Sequence, residues 1–112
     1  MARTFAETAT EADLLKVFTD LEDKAGLAFV FHVRDARGQR LAGLPDLIVV
    51  AGDTLGAFET KTQRDEVTER QSDVIRALSA ITRVEAAIVR PVPRPGEIDV
   101  AEALRRLGLA AG

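Results

Sequence analysis

Apolar positions along the chain recur with two different periods. Between residues 11 and 25, Leu14, Val17, Phe18, Leu21 and Ala25 fall at helical spacing. Thr10 with Asp13 makes a hydroxyl cap with an acid three residues on, and Gly26 is a stop, so a helix is predicted over roughly 11–25. The character then changes. "LAFVFHVR" is aromatic and β-branched, which predicts a strand, and "DARGQR" carries turn residues. "DLIVV" is a short, nearly all-apolar run of the kind expected for a strand covered on both faces. "AGDTLG" has the Gly-Asp punctuation of a hairpin loop, and "AFETK" leads back as the next strand. Thr68 caps a helix reaching about Leu78, with Val74, Ile75 and Leu78 as its apolar stripe. "VEAAIVR" predicts a last strand, "PVPRPGE" a proline-rich exit, and Asp99 the cap of a short helix ending near Gly108. The order α-β-β-β-α-β plus a C-terminal helix predicts an α/β fold, a mixed sheet flanked by helices.

Composition adds limits. The 112 residues make one domain, 1–112, with a core over about 11–90 and a C-terminal extension over 91–112. No apolar run approaches a membrane span, and the polar N-terminus with its early acids does not resemble a signal peptide. Cysteine is absent, which excludes disulfides and thiolate metal sites. The expectation is a cytoplasmic protein with no membrane partner. Net charge is −3, so the chain is no polycation, but the charge is uneven. Residues 1–25 hold six acids against three bases, whereas 30–45 hold Arg34, Arg37 and Arg40 against Asp35 alone. Residues 82–96 hold Arg83, Arg90 and Arg94 against Glu85. Each basic segment is either a phosphate-facing surface or a set of solvated turn arginines.

The chemistry concentrates in "GLPDLIVVAGDTLGAFETK". Charges on two adjacent apolar strands are costly unless paired or bound to something. Side chains alternate faces along a strand, so Glu59 and Lys61 share one, about 7 Å apart. Folding 46–51 back on 56–61 sets Asp46 nearly opposite Lys61 and diagonal to Glu59, close enough for both carboxylates to share one ion. Two hard oxygen donors suit Mg²⁺, which keeps several waters. A lysine beside them can orient a water or neutralise charge developing on a phosphate. The alternative is a salt-bridged cluster at a sheet edge.

"FHVRDARGQ", "GLPDLIVV", "AFETK" and "TERQSDVIRAL" follow one another over roughly residues 11–90 in an order and spacing that resemble the PD-(D/E)xK nucleases. The similarity is greatest to their VRR-NUC (virus-type replication-repair nuclease) branch. The resemblance implies a restriction-endonuclease-like core and carries roles onto particular residues. Asp46 and Glu59 match the metal-binding acids, Lys61 the catalytic lysine, and the Thr60 carbonyl a further metal ligand. Gln71 matches a glutamine that opens the following helix near the site. Glu11 matches an acid on the first helix that faces the cleft, which the resemblance makes a catalytic residue and a ligand of a second metal ion, although a first-turn acid is also favoured by the helix dipole alone. Thr60 stands where the family more often has an aliphatic residue. Being β-branched and expected on the opposite face, it is expected to matter little. Asp65, Glu66 and Glu69 make the following loop more acidic than in the family, which implies weaker DNA affinity or a solvent-facing loop.

His32, the sole histidine, is either a packed or surface residue or a phosphate contact beside Arg34. Arg34, Arg37 and Arg40 bracket the turn before the Pro-Asp strand and are the expected contacts to a DNA backbone. With no Tyr or Trp, and with Phe5, Phe18, Phe29, Phe31 and Phe58 expected mostly in the core, the chain offers little for base stacking. The expectation from the resemblance is a Mg²⁺- or Mn²⁺-dependent DNA endonuclease in phage or bacterial DNA replication or repair. A chain this small is expected to act on branched DNA as a homodimer. The competing expectation is a non-catalytic DNA-binding or assembly module that keeps the nuclease fold.

Overall fold

Two residues, Gly52 and Asp53, are all that separate the central strands, and this tight turn sets the register of everything around it. The computed structural model describes residues 10–22, 28–33 and 43–109, with Glu11, Leu21 and Glu22 described in their backbone only. The elements run α1 (Glu11–Glu22), β1 (Phe29–His32), β2 (Leu47–Ala51), β3 (Thr54–Thr60), α2 (Glu69–Ser79), β4 (Val84–Val89) and α3 (Val100–Arg106). They form an α/β fold with a four-stranded mixed sheet in the order β1-β2-β3-β4. β1, β2 and β3 pair antiparallel, and α2 carries the chain over to a parallel β4.

The helices begin where their caps lie. Asp13 N–H donates to Thr10 Oγ1 at 3.2 Å and Thr10 N–H donates to Asp13 Oδ2 at 2.9 Å, a reciprocal box that starts α1. The hydrogen bonds from Thr10 hold the Asp13 carboxyl below the usual carboxylate range. Thr68 and Gln71 form the same kind of box at α2, and Asp99 caps α3 by accepting the Glu102 N–H at 2.8 Å. α1 and α3 cover one sheet face. Leu14 and Phe18 of α1 and Ala103 of α3 are buried there with Leu47, Val49, Phe58, Ala87 and Val89. The Phe18 and Phe58 rings lie 5.9 Å apart between centroids. Each fully buried Leu, Val or Phe contributes roughly 1.5–3 kcal/mol, so this face supplies most of the fold's driving force.

α2 lies on the other face, over β3 and β4, and leaves the β1–β2 half less covered. β2 is accordingly buried only at alternate positions, Leu47, Val49 and Ala51, with Ile48 and Val50 half-buried. An apolar run had suggested cover on both faces; the opposite cover stops short of it.

The hairpin also departs from expectation. Thr54, Leu55 and Gly56 belong to β3 and not to the loop, because Ala51 pairs directly with Thr54. Gly52 has φ 61°, the left-handed value that the first residue of a II′ turn requires and that glycine adopts without strain. With the loop this short, Leu47 faces Phe58. Continued by one residue, the ladder sets Asp46 across from Glu59, two positions from the partner expected from a longer loop. The shift is even, so the side chains within β2 and β3 keep their faces.

Candidate metal and catalytic site

The site begins with a proline. Leu47 and Phe58 form a pair, and the next position of the same kind along the ladder is Pro45 against Thr60. Proline has no N–H to give, so Thr60 C=O receives none from it. The Lys61 N–H goes to Val89 O on the β4 side at 2.9 Å, which leaves the Thr60 N–H and C=O directed to the β2 side. There the Asp46 carboxylate takes the place of a main-chain partner. Oδ1 accepts the Thr60 N–H at 2.8 Å and Oδ2 accepts Thr60 Oγ1 at 2.6 Å. Thr60 is therefore not the bystander expected of it. Its side chain reaches Asp46 because Asp46 sits in the bend ahead of β2, outside regular alternation.

Glu59 follows from β3 and is 7% exposed. Its Oε1 accepts Gln71 Nε2 at 3.2 Å, and its Oε2 is closed off from solvent. Gln71 is held in turn, since its Oε1 accepts the Thr68 N–H at 3.0 Å and its own N–H goes to Thr68 Oγ1 at 3.1 Å. One amide thus ties the start of α2 to a buried carboxylate. Gly43 braces the same corner. Its φ is 83°, and a Cβ there would run into the Arg70 side chain and come within 3.2 Å of Arg70 O and Val74 Cγ2. The Gly-Leu-Pro-Asp entry can lie against α2 beside Gln71 because residue 43 has no side chain.

Lys61 continues β3 by one ladder position and is half-buried. The loop after it is clamped from below. Arg90, at the end of β4, is fully buried and grips Glu97 through Nε to Oε1 at 2.7 Å and Nη2 to Oε2 at 3.1 Å. Its Nη1 donates to Thr62 O at 2.8 Å and to Asp65 O at 2.6 Å. Gln63 reaches across to Val92, donating to its carbonyl at 3.1 Å and accepting its N–H at 2.9 Å. The acids of this loop are partly consumed in holding it. Asp65 accepts the Thr62 N–H at 3.0 Å, and Glu66 pairs with Arg94 at 3.0 Å. Hydrogen bonds from Thr62, helped by the Lys61 and Arg90 charges, outweigh desolvation and hold the Asp65 carboxyl below the usual range. Neither a phosphate-facing nor a solvated role fits Arg90: its charge is neutralised inside the fold. Arg83 instead pairs with Asp53 at the surface with both side chains largely exposed, as a solvated turn arginine does.

The remaining expected residues divide. His32 lies opposite Leu47, so it shares the α1-facing side of the sheet and is not brought together with Glu59. Arg34, Arg37 and Arg40 lie outside the described residues, as does the side chain of Glu11. Among the described residues no three His, Asp or Glu side chains come together as a metal cage. What the fold does at this end of β3 is fix two carboxylates, Asp46 on Thr60 and Glu59 on Gln71, with the Thr60 carbonyl on the β2 side. An all-oxygen set of this kind fits a small hard cation that retains water.

Sequence reasoning passed over the Thr60 hydroxyl and the Arg90 clamp. Each had a signal. Arg90 follows the apolar run 86–89 seven residues before Glu97, and Pro45, lacking an N–H, interrupts the ladder beside Thr60. Comparison with protein-family models, with curated proteins and with solved structures returned no match.

Proposed function

We propose that this chain is a Mg²⁺-dependent phosphodiesterase acting on DNA, with a restriction-endonuclease-like core. The observation that supports the proposal is that two carboxylates at one end of β3, Asp46 and Glu59, are each fixed by a different partner. Thr60 fixes Asp46, and Gln71 at the head of α2 fixes Glu59. A divalent ion held by two carboxylates balances the charge of both.

In this proposal Asp46, Glu59 and the Thr60 carbonyl hold the ion. Mg²⁺ bound there supplies a water of lowered pKa and screens the charge that builds on the phosphate. The residues do the rest. Lys61 sets a cation at the end of β3, where it orients the attacking water or takes up phosphate charge. Gln71 keeps Glu59 aimed into the site. The Arg90 clamp keeps the 62–65 loop, and with it the Lys61 backbone, at a fixed height. A domain of this size presents a narrow surface to a duplex, so the proposal includes a homodimer with two sites acting on branched DNA.

Thermal melting with Mn²⁺ or Mg²⁺ tests the metal step without turnover. At an ion concentration a hundredfold above Kd, binding stabilises the native state by about 2.7 kcal/mol. For a domain of this size that raises the Tm on the order of ten degrees. Asp46→Asn abolishes the rise if the site is correct. A variant that responds like the wild type sinks it.

A further inference from the structure

Thr60 holds both oxygens of Asp46, one from its main chain at 2.8 Å and one from its side chain at 2.6 Å. The hydroxyl is buried, with Thr60 only 5% exposed. Packing alone does not require it. Valine has nearly the same shape, suits a strand equally well, and avoids the desolvation of a hydroxyl. A buried hydroxyl at this point is therefore accounted for by its bond to the carboxylate.

That bond has a geometric consequence. A carboxylate offers about four lone-pair positions, two on each oxygen. Thr60 takes one on Oδ1 and one on Oδ2, which fixes the plane of the group and leaves one position on each oxygen. Asp46 lies in the bend ahead of β2, so the ladder of β2 does not hold it by itself. The threonine also directs its own carbonyl to that side. One residue thus sets both a side-chain ligand and a main-chain ligand.

We infer that Thr60 is a positioning residue for divalent-cation binding: its hydroxyl holds the Asp46 carboxylate in the orientation that receives the ion. This rests on the proposed metal role of Asp46 and Glu59. Partners that orient a metal ligand in this way typically contribute ten- to a hundredfold in affinity. The opposite sign is the physical alternative, in which the hydroxyl competes with the ion for Oδ2.

The test is Mn²⁺ titration followed by electron paramagnetic resonance of the free aqua ion, on wild type, Thr60→Val and Thr60→Ser, with circular dichroism melts alongside. Thr60→Val is expected to bind Mn²⁺ about tenfold more weakly or worse, and Thr60→Ser, which keeps the hydroxyl, to bind within a few-fold of wild type. If Thr60→Val does not reach the native spectrum, Thr60→Ala is measured against the same criterion. Wild-type binding that Thr60→Val leaves unchanged or tightens overturns the inference and leaves the metal site standing. A wild type that binds no Mn²⁺ at millimolar concentration overturns the metal site, and the inference with it.

Discussion

Gln71 joins Glu59 to the first turn of α2, giving its Nε2 to the carboxylate at 3.2 Å while its Oε1 takes the Thr68 N–H at 3.0 Å. The side chain does two jobs, a helix cap and a carboxylate support, and the two can be separated. Gln71→Ala removes a hydrogen bond to a buried charge and half of the capping box. It should lower the unfolding free energy by about 1–3 kcal/mol in urea denaturation. Glu59→Gln, which removes the charge, should reduce the cost of a second change at Gln71. Additive losses in that double-mutant cycle would show that the two side chains do not act together.

Arg90 should be among the most sensitive positions in the protein. Truncating one partner of a buried pair leaves the other charge without compensation, typically at about 3–5 kcal/mol. Arg90→Ala also strips the Thr62 and Asp65 carbonyls of their donor. Arg90→Lys should recover little, because an ammonium cannot reproduce the forked contact with Glu97. Equilibrium denaturation decides the point, and a lysine variant as stable as wild type would contradict this account of the clamp.

The same clamp predicts a pH dependence. Burial pushes the Glu97 carboxyl up, but the hydrogen bonds from Arg90 and the Arg94 N–H, with both charges, outweigh it and hold the group below its usual value of 4.5. A carboxylate depressed in the native state contributes stability that is present above the unfolded value and lost as pH falls through the folded one. The stability gap between wild type and Glu97→Gln should therefore be full at neutral pH and close progressively below 4.5. A gap of constant size from pH 7 to about pH 2.5 would place the effect of Glu97 elsewhere.

Gly43 gives a backbone test of how Asp46 is presented. Gly43→Ala forces a side chain onto a φ of 83° and against α2. The left-handed conformation alone costs about 1–2 kcal/mol, and the contacts with Arg70 O and Val74 add to it. Stability by denaturant titration should fall by at least that amount. A neutral substitution would mean that the Gly-Leu-Pro-Asp turn is free to move away from α2.

Much of this architecture is legible in the sequence because local signals and burial agree. Thr10-Asp13, Thr68-Gln71 and Asp99 start their helices where the caps lie, and the two-residue period of a strand places Glu59 on the face where Gln71 of α2 meets it. The hairpin register was less legible. Loop composition alone does not say whether Thr54–Gly56 turn or pair; the pairing of Ala51 with Thr54 across a positive-φ Gly52 does. Arg90 was hidden for a different reason. An arginine beside a proline-rich loop resembles a solvated one until the fold brings Glu97, Thr62 and Asp65 around it. The Thr60–Asp46 contact is not legible from strand alternation, because Asp46 lies one residue outside the strand.

The central claim is that Asp46, Glu59 and Lys61 cleave phosphodiester bonds. The most direct measurement is cleavage of labelled linear duplex, single-stranded, flap and four-way-junction DNA with Mg²⁺ or Mn²⁺, beside Lys61→Ala shown to be folded by circular dichroism. Metal-dependent cleavage by wild type on at least one substrate, lost by two orders of magnitude or more in Lys61→Ala, is the predicted result. Binding of these DNAs without cleavage of any, or cleavage that Lys61→Ala leaves intact, would contradict it.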